Sequence, residues 1–118
     1  MKTISEIREE FQQKFAYLRI IFFPGKVSEG DELMNNLTLG NLCKDWKEGQ
    51  FLIHSFHSIK EVELLFARLR ISVAIERKQP KGWMETRRSY YLSLDTHNEM
   101  GRLASQMQPF NIEIQNNA

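Results

Sequence analysis

Residues 3–23, TISEIREEFQQKFAYLRIIFF, and residues 58–78, SIKEVELLFARLRISVAIERK, decide the fold, because each pairs a helix signal with a strand signal. In the first, Ile4, Ile7, Phe11 and Phe15 keep to one helical face, and Leu18-Arg19-Ile20-Ile21-Phe22-Phe23 follows as a run rich in β-branched and aromatic residues. Thr3 with Glu6 makes a Thr-x-x-Glu capping box, in which hydroxyl and carboxylate each satisfy a backbone N–H left unpaired by the first turn. The spacing predicts a helix over 4–16 and a strand over 18–23, stopped by Pro24-Gly25. In the second, Ser58 and Glu61 repeat the capping box, a helix over 59–69 follows, and Ile71-Ser72-Val73-Ala74-Ile75 opens a strand to residue 77. Thr3/Ser58, Ile4/Ile59, Glu6/Glu61, Ile7/Val62 and Phe11/Phe66 match at a constant offset, after which the register is expected to shorten, since nothing aromatic stands opposite Phe15.

Between and beyond these units, residues 51–56 and 82–87 read as further strands. Gln79-Pro80-Lys81-Gly82 supplies a turn that makes the last pair an antiparallel hairpin. Thr96-His97-Asn98-Glu99 reads as a third capping box, and Met100, Leu103 and Met107 form an apolar stripe, so a C-terminal helix is expected over 96–107. Pro109 ends it, and residues 110–114 read as an edge strand. The fold class is therefore α+β, with the order αββαββ and an additional C-terminal helix. That order is a permuted ferredoxin-like arrangement, a two-layer sandwich in which 51–56, 59–69 and 71–77 make a right-handed crossover if the strands are parallel.

The 118 residues suffice for a single domain, 1–118, and not for two ordinary ones. Within it, 24–50 is a long connection that Leu37, Leu39, Leu42 and Trp46 make too apolar for a disordered tether, and 95–118 is the C-terminal helix and tail. This connection is expected to pack on the domain edge, either as a binding loop or as cover for an edge strand. Hydrophobic residues at 42% and charged residues at 26% exclude a collagen-like repeat and a chain disordered by composition. The densest apolar run, Leu18–Phe23, is interrupted by Arg19 and far shorter than the ~20 residues of a membrane span. Residues 1–10 show no secretory signal, and the single cysteine, Cys43, makes no internal disulfide, so the expected location is cytoplasmic. The sequon Asn36-Leu37-Thr38 then reads as chance.

Alternation turns Leu18, Ile20 and Phe22 toward the helices and Arg19, Ile21 and Phe23 away from them. In the later strand Ile71, Val73 and Ile75 face in, and Ser72, Ala74 and Glu76 face out. An outward Ile21 and Phe23 is unusually apolar for a solvated surface, so Arg19, Ile21 and Phe23 form a candidate interface. Two covers are open, the C-terminal helix through Met100, Leu103 and Met107, or a second copy of the chain; the first is preferred because that stripe has no other evident partner.

The net charge of +1 conceals a cancellation. Seven cations against two carboxylates between Phe66 and Arg88 give a local +5, leaving −4 elsewhere. Arg77, Lys78, Lys81, Trp83, Arg87, Arg88 and Tyr90 mix cations with aromatic faces as a nucleic-acid-binding hairpin would, and are the candidate binding residues. The simpler reading is a solvated hairpin whose aromatics pack on the domain. His54 and His57 with Cys43 lack metal-ligand spacing, since i and i+3 on a strand face opposite ways. Asp31, Glu32, Asp45 and Glu48 form no acid/base pair pattern, and Gly25 and Gly30 no phosphate loop. No metal, cofactor or membrane is expected. No residue set argues for an enzyme, so the expected function is a small non-enzymatic binding or protein-interaction module. Nucleic-acid binding through 77–91 and self-assembly through the outer face of strand 18–23 are the alternatives.

The pattern from Thr3 to Phe23, with Arg77-Lys78 and Gly82-Trp83-Met84-Glu85-Thr86, resembles a family of short, uncharacterised bacterial proteins. The resemblance spans about two thirds of the chain and implies no activity and no site residues. The chain departs from it after Thr86.

Overall fold

The computed structural model describes residues 2–23, 37–42 and 52–107. It is mixed α+β, with helices α1 (Ile4–Lys14), α2 (Leu39–Leu42), α3 (Ile59–Ala67) and α4 (Leu94–Gln106), and strands β1 (Leu18–Phe23), β2 (Ser72–Gln79) and β3 (Gly82–Glu85). A 3-10 turn at Arg87–Ser89 links β3 to α4. No helix among the described residues is long and apolar enough to cross a membrane.

Both capping boxes form. Thr3 Oγ1 accepts from the Glu6 N–H at 3.2 Å while Glu6 Oε1 accepts from the Thr3 N–H at 3.1 Å. Ser58 and Glu61 repeat the exchange at 3.1 and 3.0 Å. The hydrogen bonds from the Thr3 and Ser58 backbones hold the Glu6 and Glu61 carboxyls below the usual carboxylate range.

The sheet is antiparallel in the order β1-β2-β3, with Leu18 opposite Arg77, Ile20 opposite Ile75 and Phe22 opposite Val73. Pro80-Lys81 makes a two-residue hairpin to β3, whose first residue, Gly82, sits at φ +133°, a conformation closed to side chains with a Cβ.

The internal match runs further than the sequence alone shows. Thr3 bridges Thr38 and Ser58 bridges Ser93, in both cases just before a helix that opens on a buried leucine, Leu39 or Leu94. The Ile4 N–H donates to Leu37 O at 2.7 Å and the Ile59 N–H to Leu92 O at 3.1 Å. Thr38 Oγ1 and Ser93 Oγ accept from the N–H groups of Asn41 and Thr96. Each residue of the first unit stands 55 positions before its counterpart in the second, as do Leu18/Val73, Ile20/Ile75 and Phe22/Arg77 on the inward side of the strands. The register therefore does not shorten after Phe66. It continues beneath a change of residue type.

Three expectations change. Residues 52–56 form irregular backbone and a turn, not a strand: Ser55 O, with His57 O just after the stretch, serves a helix instead, accepting from the Asp95 and Leu94 N–H groups at 3.0 and 2.8 Å. Three strands, not four, pair among the described residues, and β1 pairs with β2 directly. α4 begins at Leu94 under Ser93, whose Oγ accepts from the Thr96 N–H, so Thr96–Glu99 lies inside the helix and caps nothing. The expected edge strand over 110–114, and most of the 24–50 connection, fall outside the described residues. Inside that connection, Leu39 is buried and Leu37 packs on the core.

One apolar core lies on a single face of the sheet. Ile4, Phe11 and Phe15 cover Leu18, Ile20 and Phe22, while Ile59, Val62 and Phe66 cover Val73 and Ile75. The Phe22 and Phe66 rings meet edge to face at 5.2 Å. Each such side chain contributes about 1.5–3 kcal/mol on burial. α4 joins this same face through Leu94, His97 and Gly101, which lies against Tyr17 and Arg77.

Candidate functional site

With these helices on one side, the opposite side of the sheet gathers residues that the sequence reading placed in separate groups. Arg19, Ile21 and Phe23 on β1 stand beside Ala74, Glu76 and Lys78 on β2, and Trp83 and Glu85 on β3 complete the face. Arg19 is the hub. Its Nε and Nη2 donate to Glu76 Oε1 at 2.6 and 2.5 Å, and its Cζ lies 4.7 Å from the centroid of Trp83. Lys78 Nζ lies 5.2 Å from that ring, so two cations share one indole. Ile21 with Ala74, and Phe23 with Ser72, form the apolar end. Glu76 and Glu85 are direct cross-strand partners, a like-charge pair of which, among the described residues, only Glu76 has a cation.

The C-terminal helix does not cover Ile21 and Phe23, contrary to the preferred expectation. α4 packs on the other face, and its Met100, Leu103 and Met107 are exposed. Arg77 and His97 meet within that docking.

The candidate residues of the basic hairpin do not converge. Lys78 and Trp83 belong to the open face. Lys81 is exposed at the hairpin tip. Arg87 and Arg88 are exposed on the 3-10 turn, where Arg87 partly offsets the burial that pushes the Glu63 carboxyl of α3 upward. Tyr90 takes Lys60 of α3 over its ring at 5.4 Å. Arg77 points into the protein, only 9% exposed.

Around Arg77 is a polar cluster that the sequence reading missed. Its Nη1 lies 3.0 Å from His97 Nδ1. A guanidinium only donates, so Nδ1 accepts, and the ring's proton sits on Nε2, which donates to Ser89 O at 2.8 Å. Burial holds the His97 pKa below its ordinary value, and the Arg77 charge adds to that. Thr86, also buried, donates from Oγ1 to Ile75 O at 2.7 Å. Leu94, His97 and Gly101, spaced i, i+3 and i+7, were the available signal for an inward histidine.

No family model, curated protein or solved structure matches the chain. The site must be read from its own residues.

Among the described residues no group of three His, Cys, Asp or Glu side chains could hold a metal ion. His57 Nδ1 accepts from the His54 N–H at 3.0 Å, and the His54 ring stacks on Phe56 at 4.9 Å, so these histidines close a local turn. Cys43 lies outside the described residues. A shallow hollow beside Asp95, Thr96, Asn98, Glu99 and Met100 is open to solvent, and its lining among the described residues comes from α4 alone.

Proposed function

We propose that the protein is a non-enzymatic interaction module whose contact surface is the open face of the sheet, and that the partner this face fits is a second copy of the chain. The observation that carries the reading is the placement of Arg19, Ile21, Phe23, Lys78 and Trp83 on the side of the sheet away from α1, α3 and α4.

A two-fold interface uses one patch twice, so the patch must complement itself. This one does. Arg19 Nη1 has no hydrogen-bond partner among the described residues, and neither has the exposed Glu85 carboxylate. They stand on the two outer strands, about 10 Å apart by strand spacing. With Arg19 held by Glu76 and Trp83, the two do not meet within one chain. A two-fold axis along β2 lays β1 of each copy over β3 of the other and brings Arg19 to Glu85 of the second copy. It also removes Ile21 and Phe23 from water. Nucleic acid is a poorer fit, because Arg77, Lys81 and Arg87 face three directions. The reading does not need the permuted ferredoxin-like layout or the bacterial resemblance.

Three short strands make a face of roughly 15 by 20 Å, well under the roughly 800 Å² per partner of a stable complex. The pair is therefore weak and salt-sensitive. Sedimentation of the full chain from about 10 μM to about 1 mM is expected to show a reversible monomer–dimer equilibrium that Phe23→Asp abolishes without loss of helical signal. Glu85→Arg should weaken it, and Arg19→Glu with Glu85→Arg together should restore it. A wild-type chain that stays monomeric throughout overturns the proposal.

A further inference from the structure

We infer that Arg77 is an oxyanion-binding residue, its free guanidinium edge lying beneath the exposed thioether of Met84. Three independent observations lead there. First, the guanidinium is buried and meets no carboxylate among the described residues: there Nη1 has His97 Nδ1 and Met100 Sδ at 3.4 Å, Nη2 has only Met84 Sδ at 3.2 Å, and Nε has no partner. Buried charges are ordinarily paired, and a thioether is a weak acceptor. Second, the Nε and Nη2 atoms form the side of the guanidinium whose two parallel N–H groups match a carboxylate or a phosphoryl group. Third, the internal repeat puts Phe22 at the place equivalent to Arg77, buried and apolar in the same sheet face. The architecture accepts an apolar side chain there, so the cation answers to something other than the fold.

The surroundings suit a ligand that comes and goes. Met84 is 40% exposed on the edge strand β3 and Met100 is 38% exposed on α4, so both residues that meet the guanidinium through sulfur also reach solvent. Met84 also accepts from Gln79 Nε2 at 2.6 Å, which gives a second donor to any oxygen taking the sulfur's place. Methionine has three rotatable bonds and swings aside at little cost. The Glu99 carboxylate of α4 is exposed and already held by Arg102. His97, kept neutral and fixed by Ser89, holds Nη1 and leaves the opposite edge free. The ligand is an oxyanion that presents two oxygens to that edge, a carboxylate or a phosphoryl group on a small molecule.

The test follows the Arg77 Nε–Hε resonance of the full chain by NMR while sodium phosphate or sodium acetate replaces sodium chloride at constant ionic strength. A saturable shift with phosphate, or with acetate, is expected, and which of them acts names the group. Met84→Ala uncovers the edge and should tighten binding several-fold. Arg77→Met, matching the apolar counterpart, should fold and lose the rise in melting temperature that the active anion gives the wild type. Absence of a saturable shift in both the wild type and Met84→Ala overturns the inference, whether or not Arg77→Met folds. So does an equal thermal response in a folded Arg77→Met.

Discussion

Ile20 lies directly opposite Ile75 across β1 and β2, and each is the other's counterpart in the 55-residue repeat. An antiparallel pair in which a residue faces its own equivalent places a local two-fold axis between them. Leu18 and Phe22 then face Arg77 and Val73, each the counterpart of the other's partner. The axis makes a quantitative prediction. Ile20→Ala and Ile75→Ala remove equally buried side chains from equivalent places, so each should cost about 2–5 kcal/mol by urea unfolding, with similar values. Because they share one cavity, the double variant should cost less than the sum. Values that differ several-fold would show that the two halves are not energetically equivalent.

The capping boxes should report the same symmetry at the surface. Thr3→Ala and Ser58→Ala each lose a hydroxyl that accepts from the third residue of a helix, at about 1 kcal/mol apiece. Ser58 also joins α3 to α4 through its bridge with Ser93, and Thr3 joins α1 to the Thr38 turn in the same way. Hydrogen exchange should therefore quicken in α4 when Ser58 is replaced, and stay unchanged there when Thr3 is.

Gly101 is the place where helix propensity and packing disagree. Inside an exposed helix, glycine to alanine gains about 1 kcal/mol. At Gly101 an added Cβ would sit 2.8 Å from Tyr17 Cβ, 3.0 Å from Tyr17 O and 3.2 Å from Arg77 Cγ. Two of those atoms belong to Tyr17 at the entry to β1, where its backbone is also held by Asn98 and Lys78. Gly101→Ala is expected to lower the melting temperature, whereas Ser105→Ala on the exposed side of α4 should leave it level or raise it.

What could be read from sequence follows how far each feature depends on distant chain. The capping boxes at Thr3 and Ser58, strand alternation and the β2–β3 turn are local, and these appear where spacing puts them. The stretch 51–56 carried strand-like residues, yet its Ser55 carbonyl accepts from Asp95 at the start of α4, forty residues away, and no local signal reveals that. The local pattern placed the helix start at Thr96, whereas the cap is Ser93, which bridges Ser58. Arg77 is different. The alternation that turns Ile71, Val73 and Ile75 inward also turns residue 77 inward, but its charge pointed to solvent. Position was the better guide, because His97 arrives from α4 to receive the guanidinium.

That pairing makes stability depend on pH in a definite direction. His97 is buried as the neutral ring, and protonation would remove the Nδ1 lone pair that Arg77 uses and set a second cation against it. The folded pKa therefore lies below the unfolded value of 6.5. Above that value neither state carries the proton and the contribution to stability is complete. As pH falls below it, the unfolded chain takes up a proton that the folded chain resists, so stability declines until the folded pKa is passed. Urea midpoints measured from pH 8 to pH 5 should fall accordingly in the wild type. His97→Gln retains an acceptor for Arg77 and a donor for Ser89 without a titrating group, and should lose most of that slope. His97→Ala leaves both partners unsatisfied and should cost about 1–3 kcal/mol at neutral pH. Equal slopes in the wild type and His97→Gln would mean that the pH dependence comes from other groups.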